Sequence, residues 1–181
     1  MIDKEKIKQA ISMLIVGLGL DPNNENLKET PERVADMYEE ILVTNKYREE
    51  PISFTQENDL TVVRHVRTYG FCPHHTLPIF YDISTAYLPS KRVIGLSKPV
   101  RIIYDCANAF ELQEAVTEKI ADRIKEAIKT DDVMVIVRGE HCCMRMRGVK
   151  TVGDVITSAV RGRFRNDNLL RQETLSLIQK E

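Results

Sequence analysis

Leu112-Gln-Glu-Ala-Val116-Thr-Glu-Lys-Ile120-Ala-Asp-Arg-Ile124-Lys-Glu-Ala-Ile128 sets an apolar residue at every fourth position among charged neighbours, and shortly after it Asp132-Val-Met-Val-Ile-Val137 becomes a continuous β-branched run. The first pattern predicts a long amphipathic helix, the second a strand. Upstream, Leu60–Tyr69, Phe80–Leu88 and Lys91–Ile94 also read as strands, the last two separated by a proline-containing turn. Before them, Ile2, Ile7, Ile11, Leu14 and Ile15 mark a helix over 2–18, capped by Asp3 and ended by Gly17 and Gly19. A second helix starts at Thr30 as cap with Pro31 at the first position, and carries Val34, Met37, Ile41 and Leu42 as its apolar stripe. Lys46 to Asp59 is polar and irregular, and helices over about 154–163 and 167–179 close the chain. The order predicts an α+β fold in which helices lie on one face of an antiparallel sheet.

The 181 residues suit one domain, or one domain with a helical arm. With 26 basic against 27 acidic side chains, a net charge of −1 marks no polyanion-binding surface, so neither nucleic acid nor membrane is an expected partner. The apolar run Met13–Val16 is far too short to span a bilayer. The acids in Met-Ile-Asp-Lys-Glu-Lys do not suit a targeting peptide, which leaves a cytoplasmic location as the expectation.

Cysteine and histidine carry the chemistry. Three of the four cysteines and three of the four histidines fall into two clusters, Cys72-Pro-His74-His75 and His141-Cys142-Cys143. In a reducing compartment this convergence points to a metal rather than to disulfides. If 141–147 is a strand, His141, Cys143, Arg145 and Arg147 share a polar face, while Cys142, Met144 and Met146 share an apolar one. That alternation selects Cys143 as a ligand and sends Cys142 to the core. Three N/S ligands with an open fourth position would make a catalytic zinc site; four closed ligands would make a structural one. Both remain open on residue types alone. Histidines left over from ligation would serve as general acid/base groups. Cys106 and His65 lie outside both clusters and read as packing or surface residues.

In order and spacing, the chain resembles the GTP cyclohydrolase I family from about Thr30 to Ile178. The stretches that carry the resemblance are Thr30-Pro-Glu-Arg33-Val-Ala-Asp-Met37, Cys72-Pro-His-His75, Ala86-Tyr-Leu-Pro89, Val93-Ile-Gly-Leu-Ser-Lys98 with Arg101, Gln113-Glu114, His141-Cys-Cys143 and Met146-Arg-Gly148. The resemblance implies a tunnelling fold, with residues 1–48 as an N-terminal helical arm and 49–181 as the catalytic domain. Subunits would join their sheets into a barrel, as a homodecamer with sites at subunit interfaces. It implies Zn2+ held by Cys72, His75 and Cys143, with His74 and His141 as catalytic imidazoles and Ser97 handling the ribose. Glu114, with Gln113 beside it, would read the guanine edge, and Lys98, Arg101, Arg147 and Arg33 would meet the triphosphate.

The implied reaction opens the imidazole ring of GTP, releases formate and leads to 7,8-dihydroneopterin triphosphate, a step of pterin and folate-type biosynthesis. Several positions depart from the family pattern. Asp36 stands where a lysine is common, Asn108-Ala109 where an Arg-Arg pair is common, and Pro73 where a glutamate is common; Tyr81 and Ser84 depart as well. These changes thin the positive charge while keeping the metal and base-reading residues. The alternatives are therefore a paralogue acting on a guanine nucleotide of another phosphate state, or stopping at the formamidopyrimidine, and a non-catalytic purine or pterin binder of the same fold.

Overall fold

The β-branched run beginning at Val133 is an inner strand of the sheet. A computed structural model describes residues 2–42, 53–55, 60–90 and 92–180. They fall into two compact units, Met1–Lys46 and Tyr47–Glu181.

The first unit is a pair of helices, α1 (Lys4–Gly17) and α2 (Thr30–Leu42). Asp3 caps α1 as expected, its carboxylate accepting the Lys6 amide at 3.1 Å. The α2 ladder begins one residue earlier than its sequence suggests. The Arg33 amide donates to the Glu29 carbonyl, so Thr30 lies inside the first turn rather than capping it. Ile15 and Ala35 are buried, and ion pairs cross between the helices, Lys4 to Asp36 at 2.5 Å and Lys8 to Glu32 at 2.5 Å.

The second unit carries a four-stranded antiparallel sheet in the order β2-β3-β5-β6: β2 (Thr61–Phe71), β3 (Pro78–Tyr87), β5 (Val133–His141) and β6 (Val155–Val160). A separate antiparallel pair joins β1 (Ser53–Thr55) to β4 (Arg92–Ile94). β1 interrupts the stretch read as irregular; most of that stretch lies outside the described residues. Two helices cover one sheet face, α3 (Ser97–Ala107) and α4 (Gln113–Ile128). The four-residue step read in the sequence is real from Val116 onward: Val116, Ile120, Ile124 and Ile128 are each at most 1% exposed, whereas Leu112 precedes the helix and is half-exposed. They pack with Ile102, Ile103 and the inward residues Tyr81, Ile83, Val133, Val135 and Val137. Each such aliphatic side chain contributes roughly 1.5–3 kcal/mol of burial.

Three expectations fail here. The sequence patterns mark no element over Ser97–Ala107, yet a helix forms there; Pro99 sits in its first turn, where a missing N–H costs nothing. The helix expected over 154–163 is instead strand β6, followed by the short α6 (Arg163–Asn166). Its Val-Ile-Thr content suits a strand, and β5 offers a free edge from Met134 to Gly139 for it to pair with. Nor are the helices confined to one face. Phe164 of α6 and Leu170 and Leu175 of α7 (Asn168–Gln179) pack with Ala86, Met134 and Ile136, which point away from α3 and α4.

A bulge in β2 between Val63 and Val66 binds the end of that last helix. Arg64 donates to the carbonyls of Leu177 and Lys180. His65, at φ +56°, faces Asp82 with one ring nitrogen and the Ile178 carbonyl with the other. His65 is thus a surface tether rather than a ligand. Among the described residues no helix is long and apolar enough to cross a membrane.

Candidate metal centre and active site

β2 and β3 are joined by the turn that carries the first Cys/His cluster. The Cys72 amide donates to the Leu77 carbonyl at 2.9 Å, and the Thr76 amide donates back to the Cys72 carbonyl at 2.9 Å. Thr76 takes φ +56°, a strained conformation for a β-branched residue, and the turn holds it. This geometry buries Cys72 to 5% exposure at the floor and leaves His74 and His75 on the open side. The Cys72 thiol lies 3.5 Å from His75 Nδ1 and 3.9 Å from His74 Nδ1.

The second cluster arrives from β5, but not as an extended strand. The β5 ladder ends at His141, paired with Ile79, and its β6 partner is already exhausted at Gly139. With no neighbour left to accept its backbone groups, the chain winds into a helical turn, α5 (Cys142–Met146). The alternating-face reading of 141–147 is therefore incorrect. Cys142 is only partly buried and Met146 is 66% exposed, so neither fills the core as expected. Cys143 is nevertheless the thiol that meets the first cluster. Cys72, His75 and Cys143 bring one ligand atom each within 4.8 Å of one another. Burial and the neighbouring Cys72 sulfur push the Cys143 thiol above its ordinary range, which is the mutual resistance of two thiols to ionising without a cation. Two soft thiols and an imidazole fit zinc far better than magnesium or calcium. Arg147, just past α5, donates to His75 Nε2 at 2.5 Å.

His141 ends β5, two residues before Cys143, and burial holds its imidazole below the usual range against an opposing pull from Glu114. Its Nε2 lies 2.8 Å from Gln113 Oε1. Gln113 and Glu114 open α4, and the helix start separates them. Glu114 is exposed; Gln113 is 3% exposed, and its amide nitrogen faces the carbonyls of Val137 and Val155. The Gln113 side chain is thus committed inside the fold rather than presented to a ligand. Ser97, Lys98 and Arg101 share the first turns of α3. Arg33 belongs to the other unit, where it pairs with Glu29 at 2.6 Å. Asp36, in that unit too, is held by Lys4, and Asn108 accepts the Thr68 hydroxyl at 2.7 Å.

Two glycines make the site possible, and sequence reasoning passed over both. Tyr81 lies between Gly70 on β2 and Gly139 on β5, its ring so close that a Cβ on Gly70 would stand 2.7 Å away. Burial, with the Cys72 and Glu114 charges adding to it, pushes the Tyr81 hydroxyl well above its ordinary range. A Cβ on Gly139 would collide with Gln113 Oε1. Gly139→Ala is therefore expected to cost about 1–3 kcal/mol, the usual range for overpacking. Urea melts check this, with Gly153→Ala as control, because a Cβ there meets nothing within 4 Å. Equal midpoints for the two variants would contradict the packing described.

With this geometry in place, comparison with known proteins is informative. Residues 7–179 match the family described as GTP cyclohydrolase I. GTP cyclohydrolase 1 of Hyperthermus butylicus is 46% identical over 98% of this chain and 92% of its own length. The Aquifex aeolicus protein of the same name is 42% identical over 98% of both chains. That of Thermoanaerobacter pseudethanolicus is 44% identical over the full length of both. A likeness this high, running end to end through both Cys/His clusters, leaves one conclusion: the chain is an enzyme of the GTP cyclohydrolase I family.

Proposed function

We propose that this enzyme hydrolyses the imidazole ring of GTP, releases formate and delivers 7,8-dihydroneopterin triphosphate, with one Zn2+ held by Cys72, His75 and Cys143. The observation that carries the reading is the convergence of those three ligand atoms, one of them two residues from His141 at the end of β5. Zinc in such a three-ligand site supplies Lewis acidity that makes water a nucleophile near neutral pH. The chain's own groups do the rest. His141 passes a proton to and from the purine N7 and the opening ring, and His74, on the exposed side of the turn, is the second imidazole available to it. Glu114 accepts the two N–H groups of the guanine edge, which adenine lacks, so the base is selected by a donor pair rather than by size.

Ser97 engages the ribose, and Lys98 and Arg101 from the same helix, with Arg147 and Arg33, hold phosphates. The reading extends to the assembly. The arm 1–48 and the domain 49–181 build a tunnelling-fold homodecamer in the cytoplasm, its sheets joined into a barrel and its sites at subunit interfaces. Among the described residues β2 and β6 are the outer strands of the sheet, which supports this, since an outer strand is where a second copy can add its own.

The test is mass spectrometry of the products after incubating zinc-replete enzyme with GTP, dGTP, GDP and GMP. The expected outcome is formate and the pterin triphosphate from GTP. A formamidopyrimidine end product, or preference for a shorter phosphate chain, would replace this reading by a paralogue's. Absence of formate from every nucleotide would make the chain a binder.

A further inference from the structure

Behind His141 runs a chain of hydrogen bonds whose direction is fixed at every link. The Gln113 amide nitrogen faces the Val137 carbonyl at 3.1 Å and the Val155 carbonyl at 2.9 Å, both pure acceptors. The amide therefore has one orientation, and its oxygen is the atom facing His141 Nε2 at 2.8 Å. An amide oxygen accepts only, so Nε2 carries the hydrogen. Next to the amide nitrogen, at 3.2 Å, is the Thr157 hydroxyl of β6. Thr157 is in turn 2.6 Å from the Thr117 hydroxyl of α4. Thr117 spends its hydrogen on the Gln113 main-chain carbonyl at 2.7 Å, so it must accept from Thr157. That leaves Thr157 a lone pair for the amide, whose two hydrogens are shared among this hydroxyl and the two carbonyls. Gln113 is 3% and Thr117 1% exposed, so water does not compete for these bonds. Gly139 supplies the space into which the amide oxygen projects.

We propose that Thr117 and Thr157, acting through Gln113, are positioning residues that lock His141 in the Nε2–H tautomer, so that Nδ1 is the atom exchanging protons with substrate. The inference deepens the proposed function and rests on His141 being its proton-transfer group. The three residues come from α4 and β6, far apart in sequence, and none belongs to the Cys72–His75–Cys143 group. Their effect on the rate is exerted through the imidazole alone.

The first measurement uses the wild-type zinc-loaded enzyme labelled with 15N-histidine, at a pH where the imidazole is neutral. The His141 resonances, assigned by their loss in His141→Asn, should show Nε2 as the protonated nitrogen and Nδ1 as the bare one. The opposite assignment, or an even mixture, overturns the inference without any variant having to fold. The second measurement is kinetic. Thr157→Val keeps the shape and deletes the hydroxyl; it should lower kcat about tenfold, with KM for GTP and zinc content unchanged, as slight misplacement of a catalytic group does. Thr157→Ser should restore kcat. A Thr157→Val enzyme with wild-type kcat, or a serine variant that rescues nothing, overturns the relay. If the wild-type tautomer holds but His141→Ala leaves the rate intact, the hydrogen-bonded lock stands as structure, the catalytic reading of His141 fails, and any loss of rate in Thr157→Val is not exerted through the imidazole.

Discussion

Cys143→Ser is expected to strip the enzyme of metal and abolish formate release, whereas Cys142→Ser leaves both intact. Wild-type protein should hold about one zinc per chain, the number that one three-ligand site accommodates. Cys143 provides one of the three ligand atoms that lie within 4.8 Å of one another, while its neighbour stands outside the group. A hydroxyl binds zinc far more weakly than a thiolate, so the serine variant should retain under about a tenth of the metal after dialysis. Metal analysis beside a formate assay measures both effects, and metal retained by Cys143→Ser but lost by Cys142→Ser would refute the site. Chelation of the wild type should give the same loss of activity with the far-ultraviolet dichroism retained. The two ligand segments hang from β2 and β5, which are already fixed by the packed α3–α4 layer. Unfolding on chelation would instead mark a closed structural site, which contributes folding energy outright.

The sheet and the long helix were legible because their signals are local. Four-residue steps from Val116 to Ile128 and the β-branched run from Val133 need no knowledge of partners to be read. β6 and α5 were misread because partners decide them. Val155–Val160 becomes a strand where β5 has an unfilled edge, and Cys142–Met146 coils where β5 has lost its neighbours. Cys143 was thus selected as a ligand through a strand that does not exist, and reaches the same group by a helical turn. The family motifs placed the Cys/His residues and Glu114, yet said nothing of what stands behind them. Gln113 beside Glu114 reads as a second ligand-facing side chain until the start of α4 turns it inward. Thr117, Thr157, Gly70 and Gly139 carry no signature, since their roles exist only once α4 lies across β5 and β6.

His141→Ala is expected to reduce formate release about 10²–10⁴-fold, the usual contribution of a positioned acid/base group, while zinc and GTP binding persist. The metal persists because His141 is not among the three grouped ligand atoms. Nucleotide binding persists because the proposed base and phosphate contacts come from α2, α3, α4 and Arg147 just past α5, and His141 is not among them. The truncation also leaves Gln113 Oε1 without its partner, and an unsatisfied buried acceptor costs roughly 1–3 kcal/mol. A fall in melting temperature would therefore accompany the alanine variant and could be mistaken for the cause of its inactivity. His141→Asn separates the two effects. Its amide N–H can still donate toward Gln113, so stability should return toward wild type, but no imidazole remains to cycle a proton and the rate should stay low. Single-turnover formate release, read beside thermal melts and equilibrium GTP binding, distinguishes the cases. Activity within tenfold of wild type in both variants would remove His141 from the reaction and leave His74, across the turn from Cys72, as the imidazole that moves the proton.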